Sequence, residues 1–137
     1  MQAEQKLAVH ELLSKAAYYY DEHRLDDLMA CFSKTARMSM RIADGDLIGP
    51  FEGQEAIKVL MGGAMEEQTD RRRHVVSNIF FESEGESHAS AVSNLSLFST
   101  ENGKISLVSA GIYHDELVKE GGQWLISERH LDLDLPY

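Results

Sequence analysis

Two short segments, far apart in the chain, carry the groups that acid/base chemistry needs. Tyr18-Tyr19-Tyr20-Asp21 supplies phenols and a carboxylate; Arg71-Arg72-Arg73-His74-Val75-Val76-Ser77-Asn78 supplies an imidazole and an amide. A carboxylate bonded to one ring nitrogen of a histidine fixes the tautomer and stabilises the imidazolium, and the other nitrogen can then take a proton as general base. Asp21 and His74 are the candidates for that pair. Tyr20 adjoins Asp21 and is the phenol best placed to join it, with core packing and a bonded hydroxyl as the equal alternative. Residues two apart on a strand share a face, so an extended segment here points His74, Val76 and Asn78 together. If that face is concave, an imidazole and an amide enter an apolar pocket. The plainer readings are an edge histidine bonded to neighbouring backbone and a helix-end surface acid.

Other residues are secondary. Arg129 lies in the last apolar run, where a buried charge must be paired. It either stabilises an anionic leaving group or intermediate or forms a structural ion pair. Tyr113, in Gly111-Ile112-Tyr113-His114-Asp115, can line a cavity, and the glycine permits the sheet to bend. Trp124 reads as core, and so does Cys31, the single cysteine. His10, His23, His88, His114 and His130 lack the tight spacing of a metal pair, and there is no HExxH motif. Neither a Gly-rich phosphate loop nor a GxSxG elbow occurs. The expectation is a site without metal or cofactor.

The elements that must position these groups follow from periodicity. Leu7, Leu12, Leu13, Ala16, Ala17 and Tyr20 recur at helical spacing. A break near His23 precedes a short second helix with Leu25, Leu28, Met29 and Phe32 on one side. Residues 35–42 alternate as a strand, Ala43-Asp44-Gly45-Asp46 is a turn, and Gly49-Pro50-Phe51-Glu52-Gly53 is a loop. Residues 54–65 form a third helix, weakened at Gly62-Gly63. Four β-like runs follow, at 74–82, 87–99, 104–119 and 123–133, separated by turns too short for anything but antiparallel neighbours. Helices first and a meander later predict an α+β fold, a curved sheet packed on helices around an open-mouthed cavity.

Length and charge bound the rest. The 137 residues predict one domain spanning 1–137. A net charge of −10 disfavours nucleic acid as a partner. No apolar run approaches a membrane span. The polar start Met1-Gln2-Ala3-Glu4-Gln5-Lys6 does not read as a signal peptide. With the lone cysteine, this predicts a cytoplasmic location.

Taken together, the motifs resemble the SnoaL-like branch of the nuclear transport factor 2-like superfamily. The pattern is Tyr20-Asp21 at a helix end, Leu25-x-x-Leu28-x-x-x-Phe32, Gly53 before a helix and His74-x-x-x-Asn78. Gly111-x-Tyr113-x-Asp115-x-Leu117 and Gly121-Gly122-Gln123-Trp124-Leu125-Ile126-x-x-Arg129 complete it. The resemblance implies a cone of three helices and a strongly bent, mixed, mostly antiparallel sheet around a pocket, assembled as a homodimer or homotrimer. Dehydrochlorinase relatives imply an Asp21–His74 dyad with Arg129 in the pocket. Scytalone-dehydratase relatives imply a Tyr20-Asp21 pair, but the position of their second water-holding tyrosine falls near Met40, which cannot bind water and is left as a pocket-lining residue. The expected function is a cofactor-independent lyase, dehydratase or isomerase that abstracts a proton from a small hydrophobic cyclic molecule, with Asn78, Tyr113, Arg129, Met40 and Val76 around the substrate. The alternative is a small-molecule binding protein or a non-catalytic β-type subunit of an aromatic-ring-hydroxylating dioxygenase with a large subunit as partner. The segment from Arg71 to Asn78 resembles that subunit.

Overall fold

The computed structural model describes residues 1–137. In chain order it contains helices α1 (Ala3–Asp21) and α2 (Leu25–Met29), strands β1 (Phe32–Ile42) and β2 (Ile48–Glu52), and helix α3 (Gln54–Glu67). Four strands follow: β3 (Arg71–Glu84), β4 (His88–Glu101), β5 (Lys104–Glu120) and β6 (Gln123–Leu133). The strands form one mixed sheet in the order β2-β1-β6-β5-β4-β3. Only β1 and β6 run parallel; all other neighbours are antiparallel. The sheet curls around the helices without closing, as the α+β reading expects.

Helix α1 buries Val9, Leu13 and Ala16, and α3 buries Ile57, Met61 and Met65, each set at helical spacing. Leu7, expected in the apolar stripe of α1, instead faces solvent. The end of α1 is set by His23, which takes a left-handed conformation (φ 56°) while its N–H and that of Arg24 bond back to Tyr20 and Tyr19 carbonyls. That stop leaves Tyr20 and Asp21 in the last turn.

Two local expectations are corrected, and a third helix is found where it was expected. Phe32 opens β1 rather than closing α2, because the second helix is over by Met29. The Gly49–Glu52 segment is part of edge strand β2, where Pro50 costs no ladder bond that the sheet needs. Helix α3, expected over 54–65, is continuous across Gly62-Gly63. A Cβ at Gly62 would lie 3.1 Å from Leu25 Cδ2, so the glycine serves the close approach of α2.

The β5–β6 pair is drawn together at Gly111, where a Cβ would collide with the Asp132 carbonyl oxygen. In β3 the pairing with β4 shifts between Ser77 and Phe80, and Asn78 at that point has φ 55°. This is a β-bulge, and it changes which residues of β3 face inward. The interior divides into a large cluster joining all three helices to the sheet, and a smaller one of Leu95, Tyr113, Leu131 and Leu133. No helix is long and apolar enough to cross a membrane.

Candidate active site

The end of α1 meets the beginning of β3. The Asp21 carboxylate accepts the backbone N–H of His74 at 2.9 Å and 3.1 Å, one distance to each oxygen, and its Oδ1 lies 2.5 Å from His74 Nδ1. Both side chains are more than nine-tenths buried, with exposures of 7% and 6%. A carboxylate only accepts hydrogen bonds, so Nδ1 carries a proton; in the neutral imidazole the lone pair is then on Nε2. Tyr20 stacks on the imidazole, with ring centroids 4.9 Å apart and planes inclined by 17°.

His74 lines a largely enclosed cavity of about 110 Å³. Tyr20 and Ala16 of α1 line it, as do Met38 and Met40 of β1, and Leu60 and Met61 of α3. Tyr113 of β5, Arg129 and Leu131 of β6, and Tyr137 beyond β6 complete most of the wall. The cavity thus lies where the two apolar clusters meet, since Ala16, Met38 and Met61 belong to one and Tyr113 and Leu131 to the other.

Arg129 and Asp115 face each other directly across β5–β6. They form a buried two-point ion pair, Nε to Oδ1 at 2.7 Å and Nη2 to Oδ2 at 3.0 Å. This leaves Nη1 as the free end of the guanidinium. Its Cζ sits 3.9 Å from the centre of the Tyr113 ring. Burial alone would favour loss of the Arg129 charge, but Asp115 outweighs it and holds the guanidinium charged far above neutral pH. Burial pushes the Tyr20 phenol well above its ordinary range, with nearby Tyr137 and Tyr113 adding to the effect. The Tyr113 phenol is raised by burial too, against the opposing pull of Arg129. Both phenols therefore remain protonated donors at any physiological pH.

Of the residues singled out from sequence, Tyr20, Met40, His74, Tyr113 and Arg129 line the cavity, and Asp21 stands directly behind His74. Val76 packs on the cluster around Leu95 and Tyr113 and does not reach the lining. Asn78 is exposed: the bulge turns its side chain away from the face that His74 occupies. Simple alternation fails there because one extra residue reverses the faces. Asp115 and Tyr137 had no assigned role. Asp115 shares a face with Tyr113 on β5, but its partner could be found only from the strand register. No group of three or more His, Cys, Asp or Glu side chains is arranged to hold a metal ion.

This combination of a curled mixed sheet, three helices and an inner pocket defines a class of small α+β proteins with a nuclear transport factor 2-like, or cystatin-like, fold. Residues 1–130 match the family model for the SnoaL-like domain, and the chain belongs to that family. Similar solved structures include a protein of unknown function with a cystatin-like fold from Nostoc punctiforme (18% identity, 99% of this chain and 97% of that one, TM-score 0.84). Aln2 from a Streptomyces species is similar at 19% identity, over 98% of this chain and 94% of that one (TM-score 0.82). A protein from Novosphingobium aromaticivorans assigned as the β subunit of an aromatic-ring-hydroxylating dioxygenase is similar at 16% identity, over 99% and 94% (TM-score 0.84). No curated protein matches the chain by sequence.

Proposed function

We propose that the cavity is the active site of a cofactor-independent lyase or isomerase, in which His74, oriented by Asp21, removes a proton from a small, neutral, ring-containing substrate. The observation that carries this reading is the buried Asp21–His74 contact, with His74 lining an apolar cavity. Nε2 takes the proton, and Asp21 stabilises the imidazolium that forms. Tyr20, Tyr113 and Arg129 Nη1 are donors for the oxygen or leaving group on which negative charge develops. Asp115 already neutralises Arg129, so the pocket suits a neutral substrate that becomes anionic during reaction. At about 110 Å³ the cavity is somewhat smaller than the ~150 Å³ that holds benzene, so its size favours an occupant no larger than one ring.

Proton abstraction can be followed without the natural substrate. A panel of one-ring ketones in D₂O, read by NMR for exchange next to the carbonyl, is expected to exchange faster with the wild-type protein. His74→Ala should lose that acceleration while keeping its circular dichroism spectrum. Equal rates for the two proteins, or no acceleration across the panel, would sink the dyad.

A second reading, a non-catalytic subunit, rests on the segment Arg71-Arg72-Arg73-His74-Val75-Val76-Ser77-Asn78. Arg71 and Arg73 are exposed beside Glu22 and would face the larger partner. Co-purification with an iron-containing partner, unchanged by His74→Ala, would favour it.

A further inference from the structure

The cavity has one wall unlike the others. Every lining residue but one lies in a helix or a strand, and Tyr137 is the exception. Its segment leaves β6 and is tied down at two points. Asp134 N–H donates to the Ala110 carbonyl at 2.8 Å, and Ser109 Oγ donates to the Leu135 carbonyl at 2.6 Å. Beyond these anchors the Tyr137 ring packs on Arg72, whose guanidinium lies 5.0 Å from the ring centre. Arg72 is itself aimed by Asp70, with Nε 3.2 Å and 3.3 Å from the two carboxylate oxygens, and Asp70 accepts a further bond from Ser99 Oγ. Tyr137 is 48% exposed, so one side closes the cavity and the other meets solvent.

Moving any other wall means pulling a helix or strand out of the core. Moving Tyr137 breaks its cation–π contact with Arg72, worth about 0.5–1 kcal/mol at an exposed site, and uncovers the side of the ring that faces the cavity. We propose that Tyr137 is the specificity-determining residue of this pocket: an aromatic wall, latched by Arg72, that limits the occupant to about one ring in size. The proposal rests on the pocket being the binding site, but it does not require His74 to move a proton.

The test compares two neutral aryl ketones that differ by one ring, acetophenone and 2-acetonaphthone. Binding is read from the NMR shift of the His74 Cε1–H signal. Wild type should bind acetophenone more tightly than 2-acetonaphthone. Tyr137→Ala should improve 2-acetonaphthone binding about tenfold, with a much smaller change for acetophenone. Arg72→Gln should move the preference the same way by less, and Tyr137→Phe, which keeps the ring, should behave as wild type. Parallel changes for both ketones in Tyr137→Ala, or no change for either, would overturn the proposal. So would binding of neither ketone by any of the proteins, or an unaltered preference in Arg72→Gln. Binding needs no turnover, so a pocket that selects by size yet fails to exchange protons would overturn the catalytic reading alone.

Discussion

The Asp21 carboxylate holds His74 at two places at once, the backbone N–H and the ring Nδ1. One side chain at the end of α1 thereby fixes both the start of β3 and the orientation of its imidazole. A general base needs a defined tautomer and a defined direction, and this arrangement supplies both before any ligand arrives.

Replacing Asp21 by Asn tests that coupling. The amide can still accept the backbone N–H of His74, but it cannot accept at every contact as the carboxylate does. If its NH₂ group faces Nδ1, the tautomer reverses and the proton moves to Nε2. Exchange activity is expected to fall by about 10²–10⁴. His74 should stay in place, as read by an unchanged thermal transition to within a few degrees. A variant that keeps wild-type activity would remove Asp21 from the mechanism.

The Asp115–Arg129 pair should behave as a unit in stability. Asp115→Ala leaves a buried guanidinium without its counter-charge and is expected to cost about 3–5 kcal/mol in urea unfolding. The double variant Asp115→Leu/Arg129→Met removes both charges and should recover much of that loss. Additive costs for the two sites would contradict the coupling. The double variant also removes the cationic donor from the pocket, so its exchange activity should stay low even though stability recovers.

Alkaline pH should destabilise the protein through its buried phenols. Burial raises Tyr20, Tyr113 and Tyr137 above their ordinary value. An unfolded tyrosine ionises at about pH 10, while these folded ones keep their protons to higher pH. Over that window the unfolded state binds fewer protons, so stability present below about pH 10 declines as pH rises. Urea midpoints measured from about pH 8 to 11 should fall, and Tyr113→Phe should flatten the fall. A Tyr113→Phe profile parallel to wild type would show that the phenol contributes nothing to it.

Much of this architecture is written locally. Apolar spacing marks α1 and α3, and the short Gly-containing turns define the meander β3 to β6, with the bounds of β6 matching the expected 123–133. Where local pattern misleads, a neighbour decides. Gly49–Glu52 pairs as an edge strand because Met38 and Arg37 of β1 offer partners. Helix α3 continues through two glycines, and at Gly62 the missing Cβ leaves room for Leu25 of α2. Leu7 carries an apolar side chain on the wrong side of its helix, which periodicity alone does not reveal.

For the site, the sequence by itself determined the chemical inventory: a carboxylate at a helix end, an imidazole at a strand start, and an arginine in the last apolar run. Residue type alone says what each group can do. Only the tertiary structure decided which groups meet. Asp21 and His74 touch because the left-handed stop at His23 ends α1 beside β3. Arg129 finds Asp115 through the β5–β6 register, and Tyr137 reaches the cavity through a segment with no periodicity to read. Asn78 drops out because a single bulge reverses the faces of β3. These are contacts between residues distant in the chain, set by register and packing, and no local pattern of side chains encodes them.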